Sequence, residues 1–216
     1  MILSIDTTSE FASIALTEGE RTIDEILLRS PDGFGHILFG HLEQLLSRRG
    51  VTVQQIDCFA AASGPGSFTG VRVGLTAVKG LAEATGKRVV AVSNLRAMAF
   101  FGTGALRATV LDARRGEVYC ALYDDRLEAV APETVMKFPA WLETLPAAGY
   151  EFISNDFSPF RSHVDPGIPV VTAPRAMAQA IGIIAWMEVQ AGRAQDAAQI
   201  DANYVRRSDA ELFWKE

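Results

Sequence analysis

Two segments of this 216-residue chain carry residue types suited to anion or nucleotide chemistry. The first is Ile5-Asp6-Thr7-Thr8-Ser9. A carboxylate at the end of an apolar run can hold a metal–nucleotide complex, and neighbouring hydroxyls can reach phosphate. A glycine in such a turn lets the backbone wrap a phosphate closely. Here Thr7 and Thr8 fill the turn, and their side chains need the room a phosphate would take. The competing reading is that Asp6 caps backbone amides. The second segment is Ser63–Gly70, with glycines at 64, 66 and 70, and with Ser67 and Thr69, just ahead of a helical pattern. Amides exposed there make an anion site. Val71, not lysine, follows the last glycine, so it is not a Walker loop. The candidate nucleotide- or anion-binding set is therefore Asp6, Ser63, Gly64, Gly66, Ser67 and Thr69, against the alternative of a tight strand-to-helix turn.

Other chemistry is thinner. A helical metal pair needs two histidines at i, i+4, about 40° apart on the wheel. His36 and His41 are i, i+5, about 140° apart, and His163 is remote. No metal site is expected. Cys58 and Cys120 cannot make a disulfide scaffold, and Cys58 reads as a small buried hydrophobe. No Gly-x-Ser-x-Gly elbow is present. The arginines of Asp112-Ala113-Arg114-Arg115-Gly116-Glu117 sit at a turn. They suit a phosphate or a partner carboxylate, and equally an exposed charged turn.

The elements that must position these residues follow from periodicity. Ile2–Asp6, Phe11–Leu16 and Thr22–Leu28 read as an antiparallel meander. Leu38, Leu42 and Leu45 mark a helix over about 37–48, ended by Gly50. Asp57–Ala62 is a strand. Val71, Leu75, Val78 and Ala82 fit a helix over about 69–85 that Gly86 closes. Arg88–Val92 is a strand, and Asn94–Phe101 a short helix. Thr109–Asp112 and Val118–Tyr123 form a hairpin. Further on come a helix at Trp141–Leu145, strands at Phe152–Ser154 and Pro169–Thr172, and an all-round apolar helix at Met177–Met187. The alternation indicates a mixed α/β architecture. No short-period repeat is visible.

Charge divides unevenly. The chain carries 20 basic and 26 acidic side chains, a net charge of −6. Residues 1–105 are nearly neutral and hold 13 of the 18 glycines, whereas residues 106–216 carry most of the negative charge and seven of the nine prolines. Two lobes are expected, 1–105 and a smaller 106–216, with 202–216 free to return to the first. An acidic balance argues against gripping nucleic acid unaided. The start lacks a basic leader and no apolar run approaches the roughly 18 residues of a membrane span, which implies a cytoplasmic protein.

Ile2–Ser9, Ser63–Leu75, Asp112–Tyr119 and Ala202–Arg207, taken in order, resemble the TsaB (YeaZ) family, which takes part in making threonylcarbamoyladenosine beside the anticodon of tRNA. The Ser63–Leu75 block is the most specific of the four. The resemblance implies a two-lobed, actin-like fold of the sugar-kinase and heat-shock-ATPase type, with mixed sheets flanked by helices. It implies a non-catalytic scaffold or activating subunit that binds TsaD, with TsaE joining. Also implied are a homodimer in isolation, tRNA contact only through the complex, and no membrane. No cofactor is expected to be tightly bound, though ATP or ADP can sit at the partner interface. The older glycoprotease-like label of the family has no protease site to support it here.

The helices then offer a seam. If Val71, Leu75 and Ala82 face the sheet, Gly70, Gly74, Ala77 and Leu81 lie about 80° further round, with Val78 at the border. Together with Leu38, Leu42 and Leu45 of the preceding helix, these form the expected partner interface. The alternative functional reading is an active ATP-dependent transferase or kinase using Asp6. A hydrolase lacks any nucleophile that can be placed.

Overall fold

Residues 1–206 are described by a computed structural model. Its backbone forms ten strands and five α-helices among these residues: β1 Ile2–Asp6, β2 Phe11–Glu18, β3 Arg21–Arg29, α1 Leu38–Arg49, β4 Cys58–Gly64, α2 Phe68–Thr85, β5 Arg88–Ser93, α3 Asn94–Ala99, β6 Leu106–Asp112, β7 Glu117–Asp124, β8 Ala129–Lys137, α4 Phe138–Leu142, β9 Tyr150–Ser154, β10 Val170–Thr172 and α5 Ala178–Gln190. They make two mixed five-stranded sheets, in the orders β3-β2-β1-β4-β5 and β10-β9-β6-β7-β8.

The first unit comprises Met1–Ala97 and Arg175–Asn203. Strand β1 is its centre, antiparallel to β2 and parallel to β4. All five of its residues are buried, because both faces of the sheet are covered. Alternation divides those faces. Leu3 and Ile5 join the core beneath α1 and α2, with Leu38, Leu45, Val71 and Val78. Ser4 and Asp6 point the other way, toward α5. Both long helices end where the sequence indicates. Gly50 and Gly86 take left-handed φ values of 63° and 66°, which an L side chain adopts only at a cost. Arg48 and Arg49 in the last turn of α1 pair with Asp24 of β3 at 2.9 and 2.8 Å.

Among the described residues, the second unit comprises Met98–Pro174 and Tyr204–Arg206. Its core holds Val110, Val118, Phe138, Trp141, Phe152, Phe157 and Phe160. The sheet repeats the plan of the first: three antiparallel strands, then two parallel additions beside the first of them. β6 is thus the counterpart of β1, and Asp112 of Asp6. Residues 7–10 and 113–116 fill the two corresponding turns.

Three expectations are corrected. The second unit begins at Met98 rather than near 105. Arg175–Asn203, placed with the second lobe by simple bisection, returns to the first. The reason is α5, whose apolar surface packs across β1, β2, β4 and β5. Of the C-terminal stretch 202–216, Ala202 and Asn203 go with the first unit and Tyr204–Arg206 with the second; the rest lies outside the described residues. Strand β8 was not expected at all. It is a mostly half-exposed edge strand containing Pro132, so neither alternation nor composition marks it.

Candidate functional site

The two candidate segments lie against each other. Thr7 Oγ1 donates to the Gly70 carbonyl at 2.7 Å, and the Ser67 amide donates to the Thr8 carbonyl at 2.7 Å. The glycines mark how closely the two backbones approach. A Cβ on Gly70 would lie 1.9 Å from the Thr7 carbonyl oxygen, and one on Gly66 2.7 Å from that of Thr8. Gly74 is tight as well, 2.9 Å from Thr7 Oγ1. Asn94 ties the pair from the side: its Nδ2 donates to Thr8 Oγ1 at 2.5 Å, and its Oδ1 accepts from the Gly64 amide at 2.9 Å. Ser67 is the N-cap of α2 and accepts from the Gly70 amide. The glycine-rich stretch is therefore filled by the Thr7–Thr8 turn of its own chain. Ser63 and Gly64 are buried, and Gly66, Ser67 and Thr69 are exposed beside the turn.

Asp6 is fully buried and its carboxylate is occupied. Oδ1 accepts from the Thr8 amide at 3.0 Å and the Thr8 hydroxyl at 2.6 Å; Oδ2 accepts from the Met177 amide at 2.9 Å. The last contact belongs to a larger device. The first amides of α5 have no partner within the helix, and the sheet supplies acceptors in sequence. Asp6 of β1 takes Met177 and Ser13 of β2 takes Ala178, both at 2.9 Å, with the half-buried carboxyl of Glu25 on the neighbouring β3. Burial pushes both carboxyls upward, and the hydrogen bonds that Asp6 accepts work against that rise. Asn94, Ser13 and Glu25 were not singled out from the sequence. The strand alternation that sets Ser4, Asp6 and Ser13 on one face was the available signal.

A family model described as TsaD: tRNA N6-adenosine threonylcarbamoyltransferase matches residues 35–163. The tRNA threonylcarbamoyladenosine biosynthesis protein TsaB of Bacillus subtilis is 34% identical over 149 residues, 67% of this chain and 65% of that one. The protein of the same name from Haemophilus influenzae is 37% identical over 124 residues, 55% of this chain and 51% of that one. The chain belongs to this family, on its TsaB (YeaZ) side. The matched part of the chain spans only about half to two thirds of the length of these curated relatives. The structure titled YeaZ from Pseudomonas aeruginosa shares the fold at a TM-score of 0.79, covering 94% of this chain and 98% of that one at 24% identity.

Within this TsaB-type fold, the Asp6 turn does not fit a metal–nucleotide complex. Its carboxylate oxygens are taken by three donors, and Thr7 and Thr8 stand where phosphate would lie. Among the described residues, no three His, Cys, Asp or Glu side chains cluster so as to hold a metal ion. Burial raises the Cys58 thiol to about 11 and the Cys120 thiol to about 12, which leaves both as unreactive thiols at neutral pH.

The expected seam is also corrected. Leu38, Leu42, Leu45, Gly70, Gly74, Ala77 and Val78 are buried within the first unit itself, and Leu81 packs partly against the same core. Gly70 and Gly74 are small to admit Thr7 rather than a second subunit. The outward apolar side chains at the starts of these helices are Phe39 and Phe68, about half exposed, with the Arg72 guanidinium 3.9 Å from the Phe68 ring centroid. Along the outer side of α1 lies an open depression of about 530 Å³, lined by Gly40, Glu43, Gln44, Ser47 and Arg48.

In the second unit, the Asp112 turn differs from its counterpart by being open. Arg114, Arg115 and Gly116 are exposed and have successive left-handed φ values of 64°, 56° and 70°. The first two cost roughly 1 kcal/mol or more apiece for an L residue. Asp112 Oδ1 accepts from the Arg114 amide at 2.8 Å, and Lys137 Nζ donates to the Arg115 carbonyl at 2.9 Å. Arg206 braces the base: it donates to the Ala113 carbonyl at 2.8 Å, pairs with Glu117 and lies 5.6 Å from the Tyr119 ring centroid. Arg206, from the last of the segments that carry the family resemblance, thus meets the Asp112–Tyr119 segment at this hairpin.

Proposed function

We propose that this chain is a non-catalytic activating subunit for tRNA threonylcarbamoyladenosine formation, acting while bound to a TsaD-type transferase. The observation that carries the reading is the state of Asp6. A chain with the fold of this family uses its candidate nucleotide carboxylate to cap α5. The family membership and the names of its relatives support the pathway.

On this reading the partner docks on the outer faces of α1 and α2, around Phe39, Phe68 and Arg72. A TsaE-type ATPase joins the pair. The chain self-associates when alone and meets tRNA within the complex. Any ATP or ADP is held jointly with the partner and not by the Asp6 turn. The protein works in the cytoplasm; no helix among the described residues is long and apolar enough to cross a membrane.

The test is size-exclusion chromatography with mass determination after mixing with a TsaD-type protein, alongside ATP turnover by each component. A defined complex, with negligible turnover by this chain alone, is expected. Failure of two folded proteins to associate would sink the reading. ATP turnover by the isolated chain that Asp6→Ala abolishes would replace it with the transferase or kinase alternative.

A further inference from the structure

We propose that the Arg114–Arg115 tip of the β6–β7 hairpin contacts the phosphodiester backbone of RNA. The proposal rests on the reading above only in taking a tRNA as the substrate of the assembly.

Three observations point there. The first is residue choice against conformation. Left-handed positions at a hairpin tip are filled most cheaply by Gly, Asn or Asp. Two arginines hold them here, exposed, with Gly116 after them. The contrast lies in the next turn of the same sheet. Leu127 also has a positive φ, but its side chain is buried, so packing offsets the strain. Both arginines of the tip are exposed, so burial offers no such return there, and strain of this kind points to function.

The second observation is charge placement. The described residues of the second unit include seven cationic and ten acidic side chains. Against that acidic background, Arg114, Arg115, Lys137 and Arg206 gather on one hairpin, facing the carboxylates of Asp112 and Glu117.

The third is the way the tip is braced, which selects the kind of anion. The Arg114 amide is taken by Asp112, and the Ala113 amide by the Glu117 carbonyl. Asp112 and Glu117 flank the base of the turn, so a small phosphate drawn into the backbone would meet their negative charge. The guanidinium of Arg114 lies 3.7 Å from Asp112 Oδ2 yet is 88% exposed, so most of its donor edge faces water. That arrangement fits phosphates spread along an extended backbone, which arginine forks contact from outside without reading sequence.

The experiment uses the complex of this chain with its TsaD-type partner and a fluorescently labelled tRNA transcript, titrated at several KCl concentrations. The variant is Arg114→Asn with Arg115→Asn, which keeps residues that tolerate left-handed backbone and puts an Asn–Gly pair at the tip. The expected result is roughly tenfold weaker tRNA binding near physiological salt, with the salt slope reduced by about 1 to 2. The thermal midpoint should equal or exceed that of the parent, and co-elution with the partner should persist. Unchanged affinity and slope overturn the proposal. Loss of co-elution in the variant also overturns it, because the tip would then be a protein contact. A parent complex that forms but does not bind tRNA overturns the RNA contact while leaving the partner reading intact. If no complex forms, that reading fails by itself, and the same titration on the chain alone decides the tip: arginine-dependent affinity supports it and none overturns it.

Discussion

Asp6 and Glu188 are both carboxylates in the first unit, and their surroundings drive them in opposite directions. Asp6 is raised by burial even while three hydrogen bonds favour its charged form. Asp6→Ala would leave the amides of Thr8 and Met177 without their acceptor. Part of that loss is offset by removing a buried polar group, so a destabilisation of about 2–4 kcal/mol is expected, measured by urea unfolding at neutral pH. Glu188 is held down to about 2, chiefly by the Arg193 hydrogen bonds at 2.6 and 2.8 Å and also by Arg96 at 2.7 Å. Its folded value lies below the unfolded one. Its contribution is therefore complete above about 4.5 and is lost as pH falls through about 2. Glu188→Gln should lower stability by about 2–3 kcal/mol at pH 7 and flatten the acid limb between those limits; an unfolding series across pH checks both. Asp6 and Glu25, raised by burial, contribute with the reverse sign: their share is present below their unfolded values and lost as pH rises through the folded ones. Gly70→Ala is a steric case. Its Cβ would lie 1.9 Å from backbone, so the turn must move, at a cost of about 3 kcal/mol or more, read from the thermal midpoint.

At the scale of elements, what the sequence made legible depended on whether an element carries its own period. The meander, both capped helices α1 and α2, and the β6–β7 hairpin announce themselves through alternation, helical spacing and glycine stops. β8 carries none of these signals. It is recognised only by pairing with β7, through two irregularities of register. α5 was legible as a helix but not as a member of the first unit, because a helix apolar all round says that it is covered and not by what. The capping of its first two amides by Asp6 and Ser13 answers that question. Hydrogen exchange tests the assignment. The amides of 178–190 should gain and lose protection together with β1 and β4 as urea is raised, in step with one cooperative unit. Protection that tracks β6 and β7 instead would detach α5 from the first sheet.

At the scale of the whole molecule, one strand plan is used twice, and the two copies have diverged at the same turn. Around Asp6 the turn is closed by Thr7, Thr8 and the glycines of α2; around Asp112 it is open, strained and basic. The repeat is invisible in the sequence because topology, not residue identity, is what the copies share. The partner residues expected from helical spacing lie in the core for a related reason. Helical spacing finds the face that must be buried, and Leu38, Leu42, Leu45 and Val78 satisfy that demand inside their own unit. An interface built on α1 and α2 must then use what their outer faces leave in water, and Phe39 and Phe68 are the large apolar side chains there. The two accounts separate cleanly by experiment. Phe39→Glu and Phe68→Glu should leave the unfolding midpoint within about 0.5 kcal/mol of the parent, since both rings are half exposed, yet abolish co-elution with a TsaD-type partner. Leu42→Ala should do the reverse, costing about 2–4 kcal/mol of stability and sparing association at temperatures where the variant is folded. If the phenylalanine variants still bind as the parent does, the outer faces of α1 and α2 are not where the partner docks.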